Sequence, residues 1–262
     1  MDFDLYPRDE FARQYGPWAV IAGGCEGVGG AFARAIAAHR IRIFLFDKKP
    51  QPLVALSRSI TAHNQVEVRA APLDLTVDAD LEQAKMLTAG LEVGLFVFDG
   101  AGGEERAPFV QSPLEAVLQT IRRNVIGPTT LCHHYAAEMC RRQRGGIVIV
   151  GSIQGCAGGA EMAAYAGSMA FEQIFTEGLW HELKPYGVDV LCCVAGAIPA
   201  RGRNHGVDPA MIAQGGLAHL KDGPTWFVGD NGEAARLLCT PDRRAATRLM
   251  NSLQSRKFNK LS

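Results

Sequence analysis

The sequence predicts an α/β fold in which a doubly wound parallel sheet carries helices on both faces. Short apolar runs recur along the chain, and a segment with helical spacing follows each of them. Parallel strands need crossover helices between them, and those helices cover the sheet. The predicted strands are Trp18-Ala22, Ile41-Phe46, Val66-Ala71, Val93-Phe98, Gly146-Val150 and Val188-Val194. The predicted helices are Val28-His39, Leu53-His63, Asp78-Ala89, Pro113-Arg123, Val125-Arg142, Met162-Pro185 and Gly232-Ser255.

Length and composition predict a single domain over residues 1–262, because 47% of the residues are apolar and can bury one continuous core. Lys plus Arg and Asp plus Glu both number 27, so no basic excess favours a nucleic acid or an anionic membrane. The seven cysteines are scattered through apolar segments and match neither a disulfide framework nor a metal site. We therefore expect a cytoplasmic protein with a small-molecule partner and no metal.

A glycine-rich segment links the first strand to the first predicted crossover helix and indicates a phosphate site. This glycine turn has the sequence Gly23-Gly24-Cys25-Glu26-Gly27-Val28-Gly29. Glycines let the backbone turn tightly and approach a pyrophosphate, while the helix N-terminus presents free N–H groups and a partial positive charge. The strand, turn and helix together predict dinucleotide binding.

Acidic residues near the second strand favour NAD over NADP as the dinucleotide. Asp47, at the end of that strand, can accept hydrogen bonds from the adenine-ribose hydroxyls and repels a 2′-phosphate. Glu26 adds further repulsion. Lys48 and Lys49 argue weakly for NADP, although two lysines after a strand are more often solvated.

The spacing Gly-x-x-x-Gly-x-Gly resembles the short-chain dehydrogenase/reductase family, and further motifs follow in that family's order. They include Asp74-Leu75 after the third strand, Asp99-Gly100-Ala101-Gly102 after the fourth, and Asn124. Ser152 lies thirteen residues before Tyr165, as the family's serine and tyrosine do. The resemblance implies a Rossmann-type sheet with strand order 3-2-1-4-5-6 and possibly a seventh strand.

The resemblance also implies roles for individual residues. Tyr165 would exchange a proton with the substrate oxygen, Ser152 would hold that oxygen, and Asn124 would support a proton relay. The cofactor pocket would be formed by Gly23, Cys25, Glu26, Gly27, Val28, Gly29, Asp47, Lys48, Asp74, Leu75, Gly100, Ala101, Tyr165, Met169, Gly196 and Ile198.

Met169 departs from the family pattern, which has a lysine four residues after the tyrosine. A free tyrosine has a pKa near 10, so lowering it to 7 requires stabilising the phenolate by about 4 kcal/mol. A thioether carries no charge and cannot provide this stabilisation. Arg201, Arg203 or His205 could supply the charge, the NAD ring alone could suffice, or redox turnover could be lost.

The segment 197–232 mixes Gly, Pro, Asn and Asp and follows the last of the six strands, so it is a candidate substrate lid. An ordinary surface excursion is the other interpretation. In place of the family's Pro-Gly-x-Val-x-Thr, the chain has Ala195-Gly196-Ala197-Ile198-Pro199-Ala200 and lacks the threonine.

Two hypotheses remain from the sequence. The first is an NAD-dependent oxidoreductase acting on a secondary alcohol or ketone of a lipophilic or cyclic small molecule. The second is an NAD-binding protein without redox turnover: a sensor, a partner subunit or a non-redox catalyst. In either case the apolar faces of Val125-Arg142 and Met162-Pro185 could pair with a second subunit, and the family resemblance implies a homodimer or homotetramer.

Overall fold

The computed structural model describes residues 8–100, 106–196 and 207–258. Their strands are β1 Trp18–Ala22, β2 Arg42–Asp47, β3 Val68–Pro72, β4 Val93–Phe98, β5 Gly145–Ser152, β6 Val188–Ala195 and β7 Thr225–Phe227. Their α-helices are α1 Arg8–Tyr15, α2 Val28–Ala38, α3 Pro50–Asn64, α4 Asp78–Leu87, α5 Leu114–Ile121, α6 Gly127–Arg142, α7 Ala163–Leu183, α8 Pro209–His219, α9 Asn231–Leu238 and α10 Arg243–Phe258.

The seven strands form one parallel sheet in the order β3-β2-β1-β4-β5-β6-β7. The predicted order is confirmed, and the seventh strand is present. The chain direction across the sheet reverses between β1 and β4, because β2 and β3 extend to one side and β4 to the other. In such sheets ligands bind outside the carboxyl ends of the strands at this switch point.

Two apolar layers hold the helices on the sheet, and each strand contributes side chains to both layers because successive side chains alternate faces. One layer packs Phe32 and Ile36 of α2 against Ile21 of β1. The other packs Leu131 of α6 against Phe96 of β4. Within the described residues, no helix is both long and apolar enough to cross a bilayer.

The predicted strands are confirmed to within about two residues, but several helical expectations need correction. The helix α1 was not predicted at all. The single helix expected over Gly232-Ser255 is two helices, α9 and α10, separated by a segment that contains Pro241, which has no backbone N–H to continue a helix.

The segment 197–232 is more regular than expected in its described part, because residues 207–232 contain α8 and β7. Asp208 caps α8 by accepting a hydrogen bond from the backbone N–H of Ala210 at 2.9 Å, and Pro209 occupies the first helical position. This Asp-Pro pair is a recognised helix start and could have been found in the sequence. The helix packs against α2, where Gly216 leaves room for the ring of Phe32.

Candidate active site

The glycine turn has a backbone that only glycine accommodates. Gly23 and Gly24 have φ angles of +89° and +68°, in the left-handed region. A Cβ on Gly24 would lie 1.9 Å from Oδ2 of Asp99, and a Cβ on Gly29 would lie 2.2 Å from the carbonyl oxygen of Gly23. The predicted tight turn at the start of α2 is therefore present. A side chain at Gly29 would clash with the backbone, and one at Gly24 would clash with the side chain of Asp99.

The N-terminus of α2 is suited to an anion. Gly27 precedes the helix and provides no side-chain cap, and the first turn carries no acidic residue. The N-terminal N–H groups of a helix carry a partial positive charge, which a phosphate group can neutralise. The glycines and the uncapped N-terminus of this helix fit a pyrophosphate.

Asp99 holds the glycine turn against the end of β4. Its Oδ2 accepts a hydrogen bond from the backbone N–H of Gly29 at 2.8 Å. The pKa of Asp99 is raised to about 6: burial is the largest cause, the hydrogen bond from Gly29 opposes it, and the charge of Asp47 adds to it. The sequence analysis matched this position to a family motif but did not identify its partner, which lies 70 residues away.

Asp47 ends β2 beside the glycine turn, as predicted. Its Oδ2 accepts the backbone N–H of Cys25 at 3.0 Å, and its Oδ1 accepts that of Lys49 at 3.1 Å. Glu26 and Lys49 form an exposed ion pair at 2.6 Å. Their charges largely compensate one another, so Asp47 remains the negative charge that bears on the choice of dinucleotide.

Other residues assigned to the cofactor pocket have different surroundings. Oδ1 of Asp74 accepts hydrogen bonds from the backbone N–H and the hydroxyl of Thr76, at 3.0 and 2.7 Å. Burial alone would raise the pKa of Asp74, but these hydrogen bonds hold it below its ordinary value. Leu75 and Val28 are buried, and Lys48 is exposed. Their roles toward a cofactor remain predictions.

Asn124 lies in a widened π-helical turn, Arg122–Ile126, between α5 and α6. Its Nδ2 donates to Oγ of Ser168 at 3.0 Å, and that hydroxyl donates to the carbonyl oxygen of Tyr165 at 2.8 Å. A Cβ on Gly100 would lie 3.2 Å from Oδ1 of Asn124. The structure thus brings the asparagine, Gly100 and the first turn of α7 together.

Ser152 and Tyr165 are on neighbouring elements. Ser152 ends β5 and begins the serine turn, which we define as residues Ser152 to Cys156; its Oγ accepts the backbone N–H of Gln154 at 3.3 Å. Tyr165 is in the first turn of α7 and is partly buried. Gly155 packs so closely on α7 that a Cβ there would lie 2.8 Å from the carbonyl oxygen of Met169. The serine turn and the tyrosine helix are therefore in direct contact.

Met169 is fully buried, and the buried acid near it was missed by the sequence analysis. Glu172 follows Met169 by three residues, has no exposed surface, and neither of its carboxyl oxygens has a hydrogen-bond partner among the described residues. Burial, followed by the charge of Asp99, raises the pKa of Glu172 well above its ordinary value. The sequence did contain an indication of this acid, because Glu172 falls among apolar residues on the face of the helix that is expected to be buried.

Several predicted residues cannot be placed. Ala101, Ile198, Arg201, Arg203 and His205 lie outside the described residues.

Gly196 directly follows β6, and a Cβ at this position would lie 2.7 Å from Oδ1 of Asn231.

Arg106 was not singled out in the sequence. Its Nε donates to Sδ of Met162 at 3.3 Å, and the next residue is bonded to the carbonyl of Glu161, so Arg106 lies beside the start of α7.

The chain is similar to known proteins over the region that contains these motifs. The model of a family described as short chain dehydrogenase matches residues 17–206. A very-long-chain 3-oxoacyl-CoA reductase from Aspergillus clavatus is 31% identical over 184 residues, 68% of this chain and 53% of the relative. The chain therefore spans about half the length of that relative. A 7beta-hydroxysteroid dehydrogenase from Clostridium sardiniense is 27% identical over 209 residues, 78% of each chain.

Solved structures share the fold. A structure reported for 7beta-hydroxysteroid dehydrogenase stereoselectivity aligns with a TM-score of 0.79 at 23% identity, covering 86% of this chain and 92% of the other. A short-chain dehydrogenase from Sphingobium yanoikuyae in complex with NADPH aligns with a TM-score of 0.74 at 24% identity, covering 84% and 92%. A rat relative, 28% identical over 194 residues (71% of this chain and 57% of the relative), is named inactive hydroxysteroid dehydrogenase-like protein 1.

Proposed function

Because the chain belongs to the short-chain dehydrogenase family of oxidoreductases, we propose that it is an NAD-dependent enzyme that interconverts a secondary alcohol and a ketone. The observation that carries this proposal is the contact between the serine turn and the first turns of α7, with Asn124 bonded to the turn that contains Tyr165. Three of the family's four catalytic positions are thereby retained on neighbouring elements.

The chain's own residues would hold the dinucleotide in two places. The glycine turn and the N-terminus of α2 would bind the pyrophosphate, and Asp47 would bind the adenine-ribose hydroxyls. When bound, the nicotinamide supplies the hydride acceptor or donor. The carboxylate of Asp47 supports NAD over NADP, although a structural neighbour binds NADPH.

At the reacting oxygen, Ser152 and Tyr165 have separate tasks. The hydroxyl of Ser152 donates a hydrogen bond that holds the substrate oxygen, and the hydroxyl of Tyr165 gives that oxygen a proton or takes one from it. Asn124 is a positioning residue that holds the first turn of α7 through Ser168. With Met169 in place of a lysine, Arg106, which lies beside Met162 at the start of α7, is the cation that we propose for stabilising the phenolate.

The substrate class we propose is a lipophilic or cyclic molecule. Relatives that act on 3-oxoacyl-CoA and on hydroxysteroids, as their names state, support a lipophilic carbonyl or alcohol. Residues 197–232 follow β6 in the chain, and we propose that part of this segment forms a lid over the substrate, while α8 and β7 within it belong to the packed fold.

The second candidate is a dinucleotide-binding protein without redox turnover. It is supported by Met169, which is fully buried and carries no charge that could stabilise a Tyr165 phenolate. The retained serine, tyrosine and asparagine favour the first candidate.

The test measures dinucleotide binding and turnover separately. Calorimetry with NAD, NADH, NADP and NADPH is combined with a turnover screen on cyclic ketones, hydroxysteroids and 3-oxoacyl-CoA. The proposal expects binding, turnover, and a loss of about a hundredfold or more in Tyr165→Phe with unchanged dinucleotide affinity. Arg106→Gln should lower turnover and move its pH optimum upward. Turnover that appears only in Met169→Lys would establish the second candidate, and absence of any dinucleotide binding would refute both.

We further propose that the protein forms a homodimer or homotetramer in the cytoplasm. Exposed apolar side chains lie on α5 and α7, including Leu114 (68% exposed) and Ile174 (66% exposed), and these two helices are in contact. Such a face is typical of a subunit interface. All seven cysteines are unpaired, which supports a reducing compartment.

A further inference from the structure

Two cysteines meet at the far end of the serine turn. Cys156 ends the turn and is 5% exposed. Cys239 directly follows α9 and is exposed to solvent. Cys239 is therefore accessible from solvent, whereas Cys156 is not.

The side chain of Arg243 bonds to both cysteine segments at once. Its Nη1 donates to the carbonyl oxygens of Leu238 and Thr240, at 2.9 and 3.4 Å, which flank Cys239 on both sides. Its Nη2 donates to the carbonyl oxygen of Cys156 at 3.0 Å. Because one guanidinium group is only a few ångströms across, these three bonds place the backbone of Cys239 next to that of Cys156. The packing of α9 on the serine turn agrees with this placement.

The proximity of the two residues also affects the pKa of Cys156. Burial raises this pKa, and the neighbouring Cys239 raises it further. Gln173 and Arg243 act in the opposite direction. The buried thiol of Cys156 is thus shielded from reagents in solution, whereas the exposed thiol of Cys239 can meet them.

We propose that Cys156 and Cys239 form a reversible disulfide that links the serine turn to the C-terminal helices when the protein meets a peroxide. The thiolate of Cys239 attacks hydrogen peroxide, breaks the O–O bond and becomes a sulfenic acid, releasing hydroxide. The sulfur of Cys156 then attacks the sulfenic sulfur, and water leaves as the S–S bond forms. In sum, two thiols and one peroxide give one disulfide and two waters, and a dithiol reductant reverses the step.

A disulfide at Cys156 would be connected to Ser152 and Met169 through the serine turn. The serine turn begins at Ser152 and contacts the backbone of α7 at Met169 through Gly155. A covalent tie at Cys156 would restrain this turn from its other end. We therefore expect oxidation to change the KM or kcat of any turnover without changing the fold.

The first readout is covalent and does not depend on activity. The reduced full-length protein is treated with hydrogen peroxide, alkylated, and analysed by intact mass and by peptide mapping without reductant. The proposal expects an intramolecular bridge between Cys156 and Cys239, with a mass loss of about 2 Da that dithiothreitol restores. The oxidised protein should also melt about 5 °C higher than the reduced protein.

Control variants separate the pair from the other thiols. Cys239→Ser should lose the bridge and the rise in melting temperature. Cys140→Ser, which removes a partly buried cysteine on another helix, should keep both. Alkylating Cys239 in the folded wild-type protein before peroxide treatment should also prevent the bridge, and this control needs no substitution. A different cysteine pairing, an intermolecular bridge through Cys239, or oxidation of Cys239 to a sulfinic acid with Cys156 still reduced would overturn the proposal.

Discussion

Replacing Met169 by lysine tests the electrostatics of the candidate active site, because the new charge would enter a fully buried position. An unpaired buried ammonium costs about 3–5 kcal/mol of stability. Glu172 lies three residues further along the same helix, a spacing that leaves about 5–6 Å between Cβ atoms. An ion pair at 4 Å gains about 4 kcal/mol at an effective dielectric constant of 20. This gain offsets the cost only in part, because Glu172, whose pKa burial raises, must also ionise to form the pair.

We therefore expect Met169→Lys to change the free energy of unfolding by less than about 2 kcal/mol, and the double variant with Glu172→Leu to lose about 3–5 kcal/mol. Urea denaturation of the wild type, both single variants and the double variant gives the coupling energy between positions 169 and 172. Glu182→Gln is the matched control, since Glu182 is an exposed acid on the same helix and should show no coupling.

A coupling energy below about 0.5 kcal/mol would show that Glu172 does not face position 169, and the reasoning would be wrong. If the coupling is present, Met169→Lys should also raise turnover at neutral pH, because the ammonium group lowers the pKa of Tyr165.

Three further outcomes follow from the charges and surfaces of the structure. Asp99→Asn keeps the acceptor for the N–H of Gly29 but cannot ionise. The pKa of Asp99 is raised to about 6, so the wild type loses stability as the pH rises from about 4 through 6 and the buried carboxyl ionises. In urea denaturation, the free energy of unfolding of the variant should therefore exceed that of the wild type by about 3 kcal/mol at pH 7.5, and by little at pH 4. Asp47→Asn should shift the ratio of NADP to NAD affinity upward by about tenfold in calorimetric titration, and an unchanged ratio would contradict the role of the carboxylate. Ile174→Glu should convert an oligomer to a monomer by light scattering, whereas Val54→Glu, at an exposed position of α3, should not.

Much of the scaffold could be predicted from local pattern. The strands, the glycine turn and the position of Asp47 follow from short apolar runs and turn chemistry, which are written in consecutive residues, whereas Ser152 and Tyr165 were identified through the family resemblance. The helices α1 and α8 escaped prediction although α8 begins with a recognisable Asp-Pro cap.

The electrostatic character of the site depends on tertiary contacts. The sequence determined that position 169 carries no charge. Only the fold decided that Glu172 is buried without a hydrogen-bond partner among the described residues, that Asp99 holds Gly29 from 70 residues away, and that Arg243 joins Cys156 across 87 residues. The physical reason is that burial and pairing set the energies of charged and thiol groups, and both depend on which distant segments pack together.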